Sequence, residues 1–326
     1  MKGKMLASLS MQLLVLAGCL GSLASCAFST PVRQSSHFPV RVLVLTMFNP
    51  ETAPWLAHEH LTTSFNVPGA FAPVRCDSSG LCVTTLGEGK SNAGASMTAI
   101  LLDHQLDLGH AFFLTAGIAG TPPSVGTLGF AAWAHWVVDW DLGNHLLPET
   151  APDVPHGYLP TYDEHTSAYH LNEKLSTLAM TVTKNVTLSD SPEAMTARKH
   201  YPGQASQHPF ITQCDTISGD DFWAGSELSE EAQYITDLRT NHAARYCTTA
   251  EEDTAIATAL NRAGYLDKYL VLRTASDFDQ PYPGQTMRAL LATFPGFGPA
   301  IENEYRVGST MAHYLIDHPE EAASSK

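Results

Sequence analysis

Residues 269–277 read Tyr269-Leu270-Val271-Leu272-Arg273-Thr274-Ala275-Ser276-Asp277. The apolar residues at 269–274 predict a buried β-strand, with Asp277 just past its end. Ligands of open α/β sheets bind outside the carboxyl ends of the strands, so Asp277 has a suitable position for a binding site. By itself, an aspartate after a strand more often caps a turn or a helix. Its role therefore depends on what the rest of the chain places beside it.

Similar runs elsewhere predict strands that alternate with helices. We expect strands at 40–47, 81–86, 111–116, 128–138 and 210–217, and helices at 93–102, 168–183, 254–263, 285–292 and 299–316. Gly117-Ile118-Ala119-Gly120 is expected to be a turn after the third strand, and the Pro-, Asp- and Gly-rich residues 143–163 a long loop. The alternation predicts an α/β fold in one domain, with helices on both faces of the sheet.

The N-terminal segment has the features of an export signal. Lys2 and Lys4 precede an apolar stretch at 11–17 that is too short to span a bilayer. Leu16-Ala17-Gly18-Cys19 fits a bacterial lipoprotein site with a lipid anchor on Cys19, and ordinary signal cleavage near 24–27 is the alternative. We therefore predict a periplasmic or secreted protein, with or without an anchor. The expected organisation is an export signal at 1–26, a linker at 27–37, a domain at 38–318 and a flexible tail at 319–326.

The composition argues against several classes of partner. The chain of 326 residues has 18 Lys and Arg against 33 Asp and Glu, a net charge of −15. Nucleic acids and anionic membranes require clustered positive charge, so neither is an expected partner. No run of 18 apolar residues follows the export segment, so we expect no transmembrane span in the mature chain. The expected ligand is small and not strongly anionic.

Four cysteines follow the export segment: Cys76, Cys82, Cys214 and Cys247. An even number suits an oxidising compartment, and a Cys76–Cys82 disulfide across a hairpin is predicted. We expect no metal site, because the histidines are dispersed and neither C-x-x-C nor H-E-x-x-H occurs. Gly89-Lys90-Ser91 is not a P-loop, since Thr84 stands where that motif requires glycine. The turn at Gly89 is expected either to bind an anion or to cap its own helix.

Five motifs, in order along the chain, resemble the purine nucleoside permease (NUP) family. They are Val42-Leu43-Val44-Leu45-Thr46-Met47-Phe48-Asn49-Pro50-Glu51, Gly87-Glu88-Gly89, Thr115-Ala116-Gly117-Ile118-Ala119-Gly120, Tyr246-Cys247-Thr248-Thr249-Ala250-Glu251-Glu252-Asp253 and Arg273-Thr274-Ala275-Ser276-Asp277-Phe278-Asp279. That family in turn resembles the nucleoside phosphorylase superfamily, which includes the methylthioadenosine/S-adenosylhomocysteine nucleosidases. The resemblance implies a three-layer α/β/α domain with a mixed sheet that forms homo-oligomers, uses no cofactor and acts on an N-glycosidic bond.

The resemblance also assigns roles to individual side chains. Asp277 matches the aspartate that protonates or hydrogen-bonds the purine N7 as the base leaves. Glu51 matches the glutamate that orients and deprotonates the attacking water. Glu252 matches the glutamate that holds the ribose hydroxyls, and Glu251 precedes it where the nucleosidases carry methionine. Phe222 matches the aromatic residue that stacks on the base.

The neighbouring base-site residue, Trp223, departs from the aliphatic residue that is usual there, so the base pocket is expected to differ in shape. Further residues of the matched motifs are expected to support the site: Arg273, Gly117, Ile118, Asn49 and Gly89.

The chemistry of the expected reaction agrees with these roles. Cleavage of a purine ribosyl bond develops positive charge on the sugar and negative charge on the base. Asp277 must then hold or share a proton at the working pH, while Glu51 must stay ionised. Arg273 either supplies the positive charge that keeps a carboxylate ionised or forms a structural ion pair.

The nucleophile is inferred from two positions of the glycine-rich segment. Bacterial phosphorylases of this fold hold phosphate with an arginine and a serine, because a dianion needs charge-assisted donors. Thr115 and Ile118 occupy these positions here, which favours water. The predicted function is a purine nucleosidase that releases base and ribose in purine salvage outside the cytoplasm. The alternatives are a phosphate-dependent purine nucleoside phosphorylase and a non-catalytic nucleoside-binding protein that supports uptake.

Overall fold

The structure is a computed structural model, and it describes residues 37–160 and 165–323. The predicted export signal at 1–26, the candidate anchor Cys19 and the linker as far as residue 36 lie outside the described residues.

The strands are short except for two. They are β1 (Phe38–Pro39), β2 (Val42–Thr46), β3 (Thr63–Phe65), β4 (Val74–Cys76), β5 (Leu81–Thr85), β6 (Leu106–Asp107), β7 (Phe112–Thr121), β8 (Ala131–Trp133), β9 (Trp136–Asp139), β10 (Asn144–His145), β11 (Tyr158–Leu159), β12 (Ala168–His170), β13 (Ile211–Gln213), β14 (Asp215–Ser218), β15 (Tyr246–Ala250) and β16 (Tyr269–Phe278).

The helices vary from one turn to more than five. They are α1 (Asn49–His58), α2 (Lys90–Leu102), α3 (Glu173–Thr183), α4 (Pro192–Arg198), α5 (Ser226–Thr240), α6 (Asp253–Ala263), α7 (Met287–Leu290), α8 (Phe297–Asp317) and α9 (Pro319–Ala323). The last of them lies in the segment predicted to be a flexible tail.

Most strands pair into one large mixed sheet. Its main path has the order β12-β9-β14-β15-β7-β2-β5-β4-β3, while β16 pairs with β7 and β8, and β8 also pairs with β13. The central strands β5, β2, β7 and β16 are parallel to one another, whereas β8 is antiparallel to β16. The predicted α/β class with a mixed sheet is confirmed.

Successive residues of β2 face opposite layers of helices. Val42 and Val44 lie in a core with α1, α3 and α8, whereas Leu43 and Leu45 lie in a core with α2 and α6. All four side chains are fully buried. Burial of one such side chain contributes about 1.5–3 kcal/mol, so the sheet is held between two helical layers.

The two long strands extend further than the sequence predicts. Residues 117–120, expected to be a turn, continue β7, and Asp277, expected beyond its strand, lies within β16. The expectation of a turn is wrong because the glycine-rich segment pairs in parallel with β16 along one edge, while side chains bond its remaining backbone N–H groups, as from Ile118 to Glu51 and from Gly120 to Thr249. The register shifts between Ala275 and Asp277, and an irregularity of this kind can re-aim a side chain.

Residues 168–183 form a strand and a helix, not the single helix that was predicted. Asn172 separates the two elements, because its side-chain oxygen accepts a hydrogen bond from Leu175 N at 3.2 Å and caps α3. The predicted strands at 128–138 and 210–217 are likewise divided into two strands each. Apolar residues continue through these breaks, so periodicity did not reveal them.

Disulfide bonds join cysteines on neighbouring strands. Cys76 and Cys82 are bonded across the β4–β5 hairpin, and Cys214, between β13 and β14, is bonded to Cys247 of β15. No helix in the described part of the chain is long and apolar enough to cross a membrane.

Candidate active site

A cavity of ≈ 290 Å³ lies at the C-terminal ends of β7, β15 and β16. Its wall consists of Met47, Phe48, Glu51, Glu88, Ile118, Ala119, Gly120, Asp221, Phe222, Trp223, Thr249, Ala250, Glu251, Glu252, Arg273, Ser276, Asp277, Phe294 and Phe297. The cavity therefore brings together most of the residues that the sequence singled out. Three predicted supporting residues are not part of the wall: Asn49, Gly89 and Gly117.

Glu51 is buried in the first turn of α1, which begins at Asn49. Its Oε2 accepts a hydrogen bond from Met47 N at 2.6 Å, and its Oε1 accepts one from Ile118 N at 2.7 Å. Burial raises the pKa of Glu51 to about 8, and the positive charge of Arg273 and the two N–H groups offset only part of that rise. The ionised form of Glu51 that the reaction requires is therefore a minor form at neutral pH, because desolvation outweighs its favourable contacts.

Gly117 leaves the space that Glu51 occupies. A Cβ at this position would lie 2.9 Å from Glu51 Oε1 and 2.8 Å from Arg273 Nη1. Both distances are shorter than van der Waals contact, so a side chain at residue 117 is incompatible with this arrangement. Gly117 thus supports the site from behind the wall.

Asp277 lies at the register shift of β16. Its Oδ1 accepts a hydrogen bond from Ser276 Oγ at 2.6 Å. Burial raises the pKa of Asp277 to about 7, and the nearby carboxylate of Asp279 raises it further, against the hydrogen bond from Ser276. A carboxyl group with this pKa can hold a proton near neutral pH, as a proton donor to a leaving base requires.

Four of the five N–H groups of Arg273 donate hydrogen bonds within the protein. Its Nε and Nη2 each donate to a different carboxylate oxygen of Asp253 at 2.9 Å, and Nη2 also donates to Glu252 Oε2 at 2.9 Å. Nη1 donates to the carbonyl oxygen of Ile118 at 3.0 Å. Arg273 therefore forms a buried ion-pair network. Its positive charge is also the contact that lowers the pKa of Glu51 most. Asp253 was not predicted, although it directly follows Glu252 in a matched motif.

Glu251 and Glu252 differ in their surroundings. Glu252 is buried, and its Oε1 accepts a hydrogen bond from Gly89 N at 3.1 Å while Oε2 accepts one from Arg273. Glu251 is less buried, and none of the described residues donates a hydrogen bond to its carboxylate. Desolvation and the neighbouring Glu252 raise the pKa of Glu251 to about 7. Of the two carboxyl groups, that of Glu251 therefore has fewer hydrogen bonds and ion pairs within the described part of the protein.

Two aromatic residues after β14 have different environments. Phe222 is 53% exposed, and its ring contacts Phe294 edge-on at a centroid distance of 6.4 Å. Trp223 is buried and stacks on Trp140 at 4.4 Å. Phe222 is therefore available to contact a ligand, whereas Trp223 forms a fixed part of the wall. Phe294 and Phe297 were not predicted, because they belong to no matched motif.

The N-terminus of α2 is capped by the protein's own carboxylates. Gly89 N donates to Glu252, and Lys90 N donates to Asp220 Oδ1 at 2.5 Å. Lys90 Nζ contacts Asp139 and Asp141 at 2.6 and 2.7 Å. The first N–H groups of α2 thus donate to carboxylates from distant segments of the chain, and the turn does not cap its own helix through a side chain. Within residues 37–160 and 165–323, no group of His, Cys, Asp and Glu is placed to hold a metal ion.

The chain matches a known family along most of its length. A family model described as purine nucleoside permease (NUP) matches residues 39–325. The chain is 33% identical to a probable purine nucleoside permease of Schizosaccharomyces pombe, over 88% of this chain and 92% of the relative. It is 30% identical to a purine nucleoside permease of Candida albicans, over 85% of this chain and 75% of the relative. The resemblance inferred from the five motifs is confirmed.

Solved structures show the same fold at low sequence identity. A futalosine hydrolase of Helicobacter pylori superposes with a TM-score of 0.54 and 17% identity, over 85% of this chain and 98% of the other. A 5′-methylthioadenosine/S-adenosylhomocysteine nucleosidase of Colwellia psychrerythraea in complex with adenine superposes with a TM-score of 0.53 and 18% identity, over 86% and 97%. The nucleoside phosphorylase-like fold is thereby confirmed.

Proposed function

Because the chain belongs to the purine nucleoside permease (NUP) family, we propose that it binds purine nucleosides in the cavity between Glu51 and Asp277 and hydrolyses their N-glycosidic bond. The observation that carries this proposal is the pair of buried carboxyl groups on one small cavity. Burial raises the pKa of Glu51 to about 8 and that of Asp277 to about 7. Perturbed carboxyl groups that share a cleft are typical of catalytic sites.

In the proposed reaction, the carboxyl group of Asp277 gives a proton to the leaving purine at N7. Glu51, in its ionised form, takes a proton from water while the water oxygen bonds to C1′ of the ribose. The C1′–N9 bond breaks, and its electron pair leaves with the base. The products are the free base and ribose, and the proton on Glu51 returns to Asp277 through solvent. General acid and base catalysis of this kind contributes about 10²–10⁴-fold each.

The sugar and the base have separate contacts in this proposal. Glu251 and Glu252 face the sugar, where carboxylates both bind hydroxyls and stabilise positive charge that develops in the transition state. Phe222 stacks on the base, because its exposed ring is free to do so. Arg273 positions Glu252 and lowers the cost of ionising Glu51.

Phosphate is a poor nucleophile for this cavity. Arg273 already donates hydrogen bonds to Asp253, Glu252 and the carbonyl oxygen of Ile118. The hydroxyl of Thr115 is buried and lies 2.7 Å from the Tyr269 hydroxyl. Arg273 therefore has at most one N–H group left for a ligand and Thr115 does not line the cavity, so the two residues offer fewer charge-assisted donors than a phosphate dianion needs.

The proposal is tested by turnover and binding of adenosine, inosine and guanosine with Asp277→Asn and Glu51→Gln. We expect each substitution to lower kcat by about 100-fold or more while nucleoside binding persists. Glu59→Gln is the matched control, since Glu59 directly follows α1 and does not line the cavity. A wild-type chain that binds nucleosides without cleaving them would contradict hydrolysis and support a non-catalytic binding protein for uptake.

A further inference from the structure

A second and larger cavity adjoins the first. It measures ≈ 970 Å³, against ≈ 290 Å³ for the cavity at Glu51 and Asp277. Asp221, Phe222 and Trp223 line both cavities. The carboxylates assigned to water and sugar line the first cavity alone. The two cavities therefore meet at the aromatic end, where the base is proposed to stack.

The wall of the second cavity is largely apolar and aromatic. Trp140 and Trp223 stack in it, and its aliphatic members include Leu146, Leu147, Leu228, Met287 and Leu291. Leu147 is 69% exposed and Leu291 is 47% exposed. Contiguous exposed apolar side chains of this size mark ligand or partner sites in proteins.

Most of the ionisable side chains around this cavity are acidic. Glu149, Asp221, Glu227, Glu230 and Glu231 line it, and the wall contains neither lysine nor arginine. His145 is the imidazole closest to these acids, and its Nδ1 lies 2.7 Å from Glu231 Oε1. An anionic group would be repelled from this surface, whereas an uncharged apolar group gains contact with the aliphatic and aromatic side chains.

Resting on the proposed function, we propose that the second cavity binds an uncharged apolar substituent on the six-membered ring of the purine. The first cavity is at the small end of the range of about 300–1,000 Å³ for ligand sites, so it holds a nucleoside with little room for an extension. A substituent on the base must then extend out of the first cavity past the residues that line both cavities. The six-membered ring is the part of the purine farthest from the glycosidic bond, at which Glu51 and Asp277 act.

The first test compares binding of four nucleosides to the full chain carrying Glu51→Gln, which suppresses turnover. The probes are adenosine, N6-benzyladenosine, 2-(phenylamino)adenosine and N6-(4-carboxybenzyl)adenosine. We expect at least one of the two uncharged substituted nucleosides to bind about tenfold more tightly than adenosine, since a phenyl group is removed from water. The carboxylated analogue is expected to lose that gain, because its charge meets the acidic wall.

Two variants test whether the tighter binding of the substituted nucleosides depends on the second cavity. Leu147→Asp places a charge in the second cavity and leaves the first cavity unaltered. Leu102→Asp is the matched control, because Leu102 is 72% exposed at the end of α2 and lines neither cavity. We expect Leu147→Asp to abolish the tenfold gain while adenosine binds as before, and Leu102→Asp to change neither.

Each other outcome overturns the proposal in a distinguishable way. If adenosine binds and neither substituted nucleoside binds more tightly, the second cavity is not a base subsite and the proposed function stands. If no nucleoside binds, both the subsite and the proposed function fail. If Leu147→Asp dissociates an oligomer in sedimentation and leaves the gain intact, the second cavity is covered by another copy of the chain.

Discussion

Two buried carboxyl groups, Glu51 and Asp277, have different surroundings, and both have raised pKa values. Glu51 accepts two backbone hydrogen bonds and lies near Arg273, yet its pKa is about 8. Asp277 has a hydroxyl donor, and its pKa is about 7. Hydrolysis needs Glu51 ionised and Asp277 protonated, and because both pKa values lie near neutral pH, a fraction of the molecules has this protonation state there.

The pH dependence of turnover follows from these two pKa values. Activity falls below about pH 7, because Asp277 is then already protonated while the ionised fraction of Glu51 keeps decreasing. It falls above about pH 8, because Glu51 is then already ionised while the protonated fraction of Asp277 keeps decreasing. We therefore expect a bell-shaped profile of kcat/KM for adenosine with its maximum between pH 7 and pH 8. In Glu51→Gln, the residual activity should no longer fall on the acidic side. A profile that is highest near pH 5 would contradict the assignment of Glu51 as the base.

Gly117 gives a test of the geometry that holds Glu51. In Gly117→Ala, the new methyl group would lie 2.9 Å from Glu51 Oε1 and 2.8 Å from Arg273 Nη1, so one of the two must move. We expect a loss of stability of about 1–3 kcal/mol and a fall in kcat of about 100-fold, measured by denaturant unfolding and nucleoside turnover.

The control for this substitution is Gly298→Ala in α8. A Cβ at residue 298 has no other atom within 4 Å, and alanine favours the helix by up to about 1 kcal/mol. Gly298→Ala should therefore preserve turnover and leave stability equal or higher. Equal kinetics for the two variants would show that the space beside Glu51 is not required.

The resemblance predicted several residues of the cavity wall: Glu51, Glu252 and Asp277 lie in the matched motifs, and Phe222 was matched by its position. The roles of these residues remain proposals. The ionisation of Glu51 could not be predicted, because the strands and helices that bury it come from distant parts of the sequence. Asp253 was missed because a carboxylate at the start of a helix is common and has no distinctive spacing.

At the scale of helices and strands, α8 contributes a buried carboxyl group behind Glu51. Glu304 is fully buried, and its carboxylate oxygens make no hydrogen bond of good geometry in the described part of the chain, although the nearby indole of Trp55 opposes the rise of its pKa. One turn further along α8, Gly308 lies against Trp55 of α1, which is itself one turn beyond Glu51. Burial first, and then the charge of Glu51, hold the pKa of Glu304 well above its usual value.

The pH dependence of stability should report on Glu304. A carboxyl group whose pKa is raised on folding stabilises the fold fully below its unfolded pKa, and this contribution is lost as the pH rises towards the folded pKa. Wild-type thermal midpoints should therefore fall from pH 5 to pH 9, and Glu304→Gln should fall less steeply. Glu302→Gln, on the exposed face of α8, is the control and should match the wild type. An unchanged slope in Glu304→Gln would contradict a neutral, buried Glu304.

The lengths of β7 and β16 show what local sequence patterns miss. Gly117 and Gly120 are typical of turns, and each would be expected to end a strand. Parallel pairing of the two strands keeps both glycines extended, because their missing side chains make room for Glu51, Arg273 and Asp277. Strand pairing is a contact between distant residues, so a local pattern does not contain it.

At the scale of the whole molecule, two disulfides constrain loops of unequal length. The bonded cysteines are 6 residues apart for Cys76–Cys82 and 33 residues apart for Cys214–Cys247. Loop-closure entropy predicts a contribution of about 2 kcal/mol for the shorter loop and about 4 kcal/mol for the longer one. Replacing Cys214 and Cys247 with serine should therefore lower the free energy of unfolding in guanidinium more than replacing Cys76 and Cys82. The opposite order would contradict the entropic account.

The α/β class and the mixed sheet were predictable because strands and helices alternate along the chain and the five motifs keep their order. The fold places the C-terminal ends of β2, β7, β15 and β16 at one cavity, and this is why Glu51, which follows β2, and Asp277, at the end of β16, line the same cavity.

The central claim is that water attacks C1′ of a purine nucleoside in this cavity. Its most direct test is turnover of adenosine in ¹⁸O-labelled water, with and without phosphate, followed by mass spectrometry of the sugar product. The account predicts free ribose, formed at the same rate whether or not phosphate is present, with one ¹⁸O at C1 in samples quenched before unlabelled ribose in the same water acquires the label by exchange. Unlabelled ribose 1-phosphate, formed only when phosphate is added, would contradict it.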